Sequence, residues 1–97
     1  MDFKVFYTPA ALTDLAEVMR WSWNNHPETS ERFGSALLNH IDFLATFPNL
    51  GSPVKQRPGV RKLLHSPVRV YYRIRDKRKL IEVIHLWHSA RQNPELR

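Results

Sequence analysis

The chain reads as an α+β domain in which a helical hairpin lies on one face of a small, mainly antiparallel sheet. Three features of the 97-residue sequence predict it. Two segments in the N-terminal half repeat apolar residues at helical spacing. Three segments in the C-terminal half are short and rich in β-branched and aromatic residues, and one further strand-like stretch opens the chain. The expected order is β-α-α-β-β-β in a single domain over residues 1–97, because a chain this short has room for one modest core.

DFKVFY supplies the first strand, with Phe3, Val5 and Tyr7 on one face. Thr8-Pro9 then reads as a helix start: threonine caps orphan backbone N–H groups and proline is preset for the first helical position. Leu12, Leu15, Ala16, Met19 and Trp23 recur at helical period and predict the buried stripe. Trp21 falls nearly opposite, a large apolar side chain among Asp14, Glu17 and Asn24. The His26-Pro27 step ends this helix, since the residue before proline avoids helical backbone. Phe33, Leu37, His40, Ile41, Leu44 and Phe47 form a second stripe, closed by Pro48. His40, inside an apolar stripe, reads as a hydrogen-bonded histidine of the core or its margin.

Residues 48–59, PNLGSPVKQRPG, are a loop by their proline and glycine content. VRKLLHS, PVRVYYRIR and KLIEVIHLW follow as three strands whose short links favour an antiparallel meander. In residues 68–75 the alternation is clean. Val68, Val70, Tyr72 and Ile74 point toward the helices, and Arg69, Tyr71, Arg73 and Arg75 point away. Arg61 and Lys62 are expected to add to that basic ridge from the neighbouring strand. The last strand is apolar on both faces, Ile81 and Val83 on one and Ile84 and Leu86 on the other, as a central strand would be.

The net charge of +6 is unevenly distributed. Residues 1–53 carry three basic side chains against six acidic ones, a net −3, whereas residues 54–97 carry twelve against three, a net +9. Such a field attracts phosphate backbones or acidic protein surfaces. The arginine-tyrosine face suits phosphates, which guanidinium groups bind in bidentate fashion, and it equally suits a solvated sheet face. With no cysteine, thiolate metal sites and disulfides are excluded. No stretch approaches a membrane span and no leader pattern is visible, so a cytoplasmic protein without membrane association is expected. His85 and His88, three apart on a strand, should face opposite ways and no carboxylate cluster completes a ligand set, so neither a metal nor a small-molecule cofactor is expected. His88 and Arg91 follow the last strand and could support phosphodiester chemistry, one transferring protons and the other stabilising developing charge.

These residues carry a resemblance over nearly the whole chain. The stretches TPAALTDLAEVMRWSW, ERFGSALLNHIDFLATFPNLG, PGVRKLLHSPVRVYYRI and IEVIHLWHSARQNP are similar to the RelE/ParE superfamily of toxins from bacterial type II toxin–antitoxin systems. Arg69-Val70-Tyr71-Tyr72-Arg73 resembles the family's arginine-and-tyrosine strand, and His88-Ser89-Ala90-Arg91 with Pro94 resembles the tail of ParE-like members. That branch implies growth inhibition by poisoning DNA gyrase, with no catalytic site, and a role in plasmid stabilization. The target would then be met by Arg61, Lys62, Arg69, Tyr71, Arg73, His88 and Arg91. The RelE-like alternative implies an endoribonuclease acting on mRNA at the ribosome, with Lys62, Arg69, His88 and Arg91 as catalytic candidates. No tyrosine follows Tyr72, which departs from the RelE-like pattern. Either branch implies a cognate antitoxin, for which Trp21, Arg73 and Arg75 are the expected anchors. A nucleic-acid-binding module using the same face without catalysis is the third reading.

Overall fold

The computed structural model describes residues 2–88 of the chain. Strand β1 (Lys4–Tyr7) leads through Thr8 into α1 (Pro9–Asn25), which is followed by α2 (Ser30–Asp42) and a short 3-10 turn at Phe43–Ala45. Four strands complete the sheet: β2 (Ser52–Pro53), β3 (Arg61–His65), β4 (Val68–Arg75) and β5 (Leu80–His88). Their spatial order is β1-β5-β4-β3-β2, with β1 parallel to β5 and the other pairs antiparallel. The predicted α+β layout is therefore the observed one, and the strand that is apolar on both faces is internal. The added element is β2, two residues inside the expected loop, whose Pro53 lies at an outer edge where its missing N–H costs no ladder bond.

The cap at Thr8 forms as the sequence suggests, its hydroxyl oxygen accepting the Ala11 N–H at 3.1 Å, with Pro9 in the first turn. The same threonine ties the helix to the sheet. Strand β1 pairs only with the first four residues of β5, and beyond Val83 that edge of β5 is served by α1. The Thr8 N–H donates to Val83 O at 3.1 Å, the Thr8 hydroxyl to Ile84 O at 3.3 Å, and the Leu86 N–H to Asp14 Oδ2 at 3.1 Å. Unpaired strand edges are costly when buried, and a helix terminus here substitutes for a strand.

This attachment rotates α1 away from the stripe that periodicity predicts. The buried residues are Ala11, Val18 and Ser22, with Leu15 packed beside them, whereas Leu12 is 53% and Trp23 62% exposed. Small side chains face the sheet because the helix is held close to it. Met19 instead meets α2, where Gly34 leaves room: a Cβ on that glycine would lie 2.7 Å from the methionine methyl carbon. Helix α2 buries Ser30, Gly34, Leu37 and Ile41, and Phe47 is left exposed after the helix has ended. The core joins these to Leu44, Leu63, Val68, Val70, Tyr72, Ile81, Val83 and Leu86.

Leu86 sharing the core with Ile81 and Val83 contradicts strict alternation along β5. The register explains it. Tyr71 opposes His85 and Tyr72 opposes Val83, so Ile84 is an extra residue on β5, and this bulge shifts the pattern by one.

Loop 48–51 is bound to the sheet through a buried phenol. Tyr72 is fully buried; its hydroxyl donates to Pro48 O at 2.6 Å and accepts the Gly51 N–H at 2.9 Å. Gly51 sits so close that an added Cβ would meet Lys62 O at 2.7 Å and the Tyr72 ring at 2.8 Å. We expect Tyr72→Phe to leave two buried backbone groups unpaired and to cost about 2 kcal/mol. For a domain of this size that lowers the thermal midpoint by roughly 10 °C, measurable by circular dichroism. Gly51→Ala should destabilise at least as much, because the obstructing atoms are backbone and a packed ring.

Candidate target-binding face

The face of the sheet away from the helices is built in rows that cross the strands. Leu64, Arg69 and Trp87 stand in one row, and Lys62, Tyr71 and His85 in the next. Beyond the bulge, Arg73, Glu82 and Phe6 form a third, followed by Arg75, Leu80 and Lys4. Arg69 and Arg73 are half-buried, and Arg75 is exposed with its guanidinium 3.0 Å from Glu82. Lys62, Arg69 and Arg73 make no ion pair among the described residues.

Several expected site residues occupy other places. Arg61 is not part of this ridge. Adjacent strand residues point to opposite faces, and Arg61 lies beside Tyr72, where its Nε donates to Gly51 O at 2.9 Å and its Nη2 to Asn49 O at 3.2 Å. Its guanidinium holds the loop. Tyr71 is 5% exposed between Lys62 and His85, so it is a floor beneath the face and not an open stacking platform. His88 is 6% exposed on the helix side, opposite the core residue Val68, with its ring centroid 3.8 Å from that of Trp21. Trp21 accordingly is not the free indole that its polar neighbours suggested. It packs on His88 and edge-on to His26 at 5.7 Å, and Trp23 is the exposed tryptophan of α1. Arg91 and Pro94 lie outside the described residues.

Sequence reasoning missed one pair altogether. His85 Nδ1 stands 3.0 Å from Asp14 Oδ2, the carboxylate that also accepts the Leu86 N–H. Asp14 thereby orients the imidazole with Nδ1 toward itself and leaves Nε2 for another partner, the arrangement that prepares a histidine as a proton acceptor. The partners are 71 residues apart, and their only local signature is an aspartate on the first helix. Among the described residues no three histidine, aspartate or glutamate side chains converge as metal ligands, and no helix is long and apolar enough to cross a membrane.

A second histidine pair joins α2 to β3. His40 Nδ1 and His65 Nδ1 are 2.8 Å apart, so one must donate and the other accept, and Phe33 packs on the His65 ring at 5.9 Å. Burial, and secondarily the neighbouring His40, hold His65 below its ordinary value of 6.5.

A helical hairpin over a mixed five-stranded sheet is the fold this chain shares with solved structures of RelE and ParE toxins. Solved structures of that class superpose on the chain. The chromosomal ParDE system from P. aeruginosa matches with a TM-score of 0.75 at 20% identity, covering 89% of this chain and 95% of that one. The RelBE2 toxin–antitoxin complex from Mycobacterium tuberculosis gives 0.69 at 22%, covering 91% and 99%. The free E. coli toxin RelE, as a mutant, gives 0.63 at 16%, covering 92% and 85%. These likenesses establish the fold. The family profile described as the ParE toxin of the type II toxin–antitoxin system parDE matches residues 5–93, and the chain belongs to that family. None of the curated proteins is similar enough to the sequence to count as a relative.

The depressed His65 value has a consequence for stability. Unfolded His65 takes up a proton near 6.5, whereas the folded pair resists it, so the contribution is present above that pH and is lost as pH falls below it. We expect the thermal midpoint to drop between pH 7.5 and pH 5.5, and to drop less in His65→Gln, as followed by scanning calorimetry.

Proposed function

We propose that this ParE-family toxin arrests bacterial growth by poisoning DNA gyrase in the cytoplasm, as a binding protein without a catalytic centre of its own, and that a cognate antitoxin neutralises it. The observation that carries the reading is the burial of His88. The one proton carrier that the tail motif offers is packed under Trp21 on the helix side, away from Lys62 and Arg69. What remains on the open face is a contact surface: a cationic row over an aromatic floor, suited to steering and holding an acidic or phosphate-bearing target.

One observation favours a second reading, ribosome-dependent mRNA cleavage. Asp14 and His85 form a built acid–base pair in the same row as Lys62 and Tyr71, one row from Arg69. His85 would take the proton of the attacking ribose hydroxyl as its oxygen bonds to phosphorus, and Lys62 and Arg69 would stabilise the phosphate charge. The protonated His85, directly or through water, would return the proton to the departing oxygen as its bond to phosphorus breaks. Inducible expression, with assays of purified gyrase and of ribosome-bound mRNA, separates the two. Growth arrest with supercoiling blocked and mRNA intact is the expected result, unaffected by His85→Gln. Arrest with mRNA cuts that His85→Gln slows about 100-fold or more would replace it with the nuclease reading.

The antitoxin is assigned to the outer stripe of α1. Leu12, Ala16 and Trp23 expose an apolar ridge beside the more acidic half of the chain, and an amphipathic segment would cover it. We expect Trp23→Ala to weaken antitoxin binding at least tenfold by calorimetry. Trp21→Ala should chiefly lower the thermal midpoint, because Trp21 is engaged with His88. Equal affinity in Trp23→Ala would place the antitoxin elsewhere.

A further inference from the structure

The β4–β5 hairpin ends in Arg75-Asp76-Lys77-Arg78-Lys79, a group of cations at the end of the open sheet face, next to the row of Arg75, Leu80 and Lys4. A 3-10 turn over Asp76–Arg78 and left-handed backbone at Lys79 (φ 52°) fold it tightly, with the Lys79 N–H donating to Asp76 O at 3.2 Å. Lys4 of β1 is drawn alongside, its N–H donating to Lys79 O at 2.9 Å. Arg75 is neutralised by Glu82 at 3.0 Å, which leaves Lys4, Lys77, Arg78 and Lys79 against Asp76 alone. Lys79 Nζ lies 5.0 Å from the Phe3 ring centroid, and neither Lys77 nor Arg78 has an ion pair among the described residues.

We infer that this tip grips the phosphate backbone of duplex DNA. The make-up of the tip favours that partner over an acidic peptide. All five turn residues are exposed and none is apolar, whereas protein interfaces rely on buried aromatic or aliphatic anchors and DNA contacts are polar and wet. The tip projects where the sheet is three strands wide: β3 reaches only as far as Tyr72 and leaves the end of β4 uncovered, while β1 flanks Leu80–Val83 of β5 on the other side. Duplex DNA carries about one negative charge per 1.7 Å of its axis, a density that a cluster of exposed, unneutralised cations is suited to meet. Beside the tip, Arg75, Arg78, Leu80 and Glu82 line an open hollow of about 340 Å³, in which the Arg75–Glu82 pair leaves Arg78 as the cation without an ion pair among the described residues. The inference goes beyond the gyrase reading and stands apart from it, because it is measured on DNA without gyrase.

Fluorescence anisotropy of the full chain with a labelled 20-base-pair DNA, over a range of salt concentrations, tests it. Replacing Lys77 and Arg78 together with glutamine should reduce the slope of log affinity against log salt by about 1.8, one counterion term per lost contact. The affinity should fall roughly 30-fold at 0.15 M salt. The thermal midpoint should not move, and the exchanged pair Lys77→Arg/Arg78→Lys should keep the wild-type slope. An unchanged slope in the glutamine variant overturns the inference, as does a duplex RNA bound as tightly as the DNA. Displacement of the tip by an acidic peptide at equal concentration would assign it to a protein partner instead.

Discussion

Strand β5 is nine residues long and β1 only four, and the arrangement of the molecule follows from how the difference is made up. A central strand cannot leave half of one edge without partners, so α1 starts at once after β1 and supplies Thr8 and Asp14 to the remaining backbone groups of β5. That attachment sets the rotation of α1 and puts small residues against the sheet. It also aims Trp21 at the end of β5. Asp14, once it accepts the Leu86 N–H, is within reach of His85 on the bulged part of the strand. One edge requirement thus links the helix packing, the covering of His88 and the orientation of His85.

The order of elements was legible in the sequence because each is marked locally. Thr8-Pro9 starts a helix, His26-Pro27 stops it, the proline-rich loop follows Phe47, and residues 68–75 alternate cleanly enough to sort Arg69 and Arg73 from Val70 and Tyr72. Features that depend on partners distant in sequence were not legible. The extra residue at Ile84 is invisible in an apolar run that would satisfy either face, so Leu86 was assigned to the wrong side. The apolar period on α1 covers a stripe wider than the core contact, and only the tether to β5 decides that Ala11, Val18 and Ser22 turn inward while Leu12 and Trp23 stay out. Arg61 and Lys62 look equivalent as neighbours, yet strand geometry separates them. The Asp14–His85 pair has no local pattern that could have revealed it.

The cations of the C-terminal half divide according to what holds them. Arg61 is committed to the carbonyls of Asn49 and Gly51, Arg75 to Glu82, and Lys79 to the Phe3 ring. Lys62, Arg69 and Arg73 on the sheet face, and Lys77 and Arg78 at the hairpin tip, have no ion-pairing partner among the described residues. A positive field maintained without internal neutralisation raises encounter rates with acidic surfaces, and its strength falls with salt. The bulge divides the sheet face: Lys62 and Arg69 lie on one side of it, and Arg73 lies on the other side with the tip. Screening acts over roughly 8 Å at physiological ionic strength, so charges two residues apart on one strand still act on each other. Arg73 is two residues from Arg75 on β4, so the charge of the sheet face runs on into the tip as one continuous positive field.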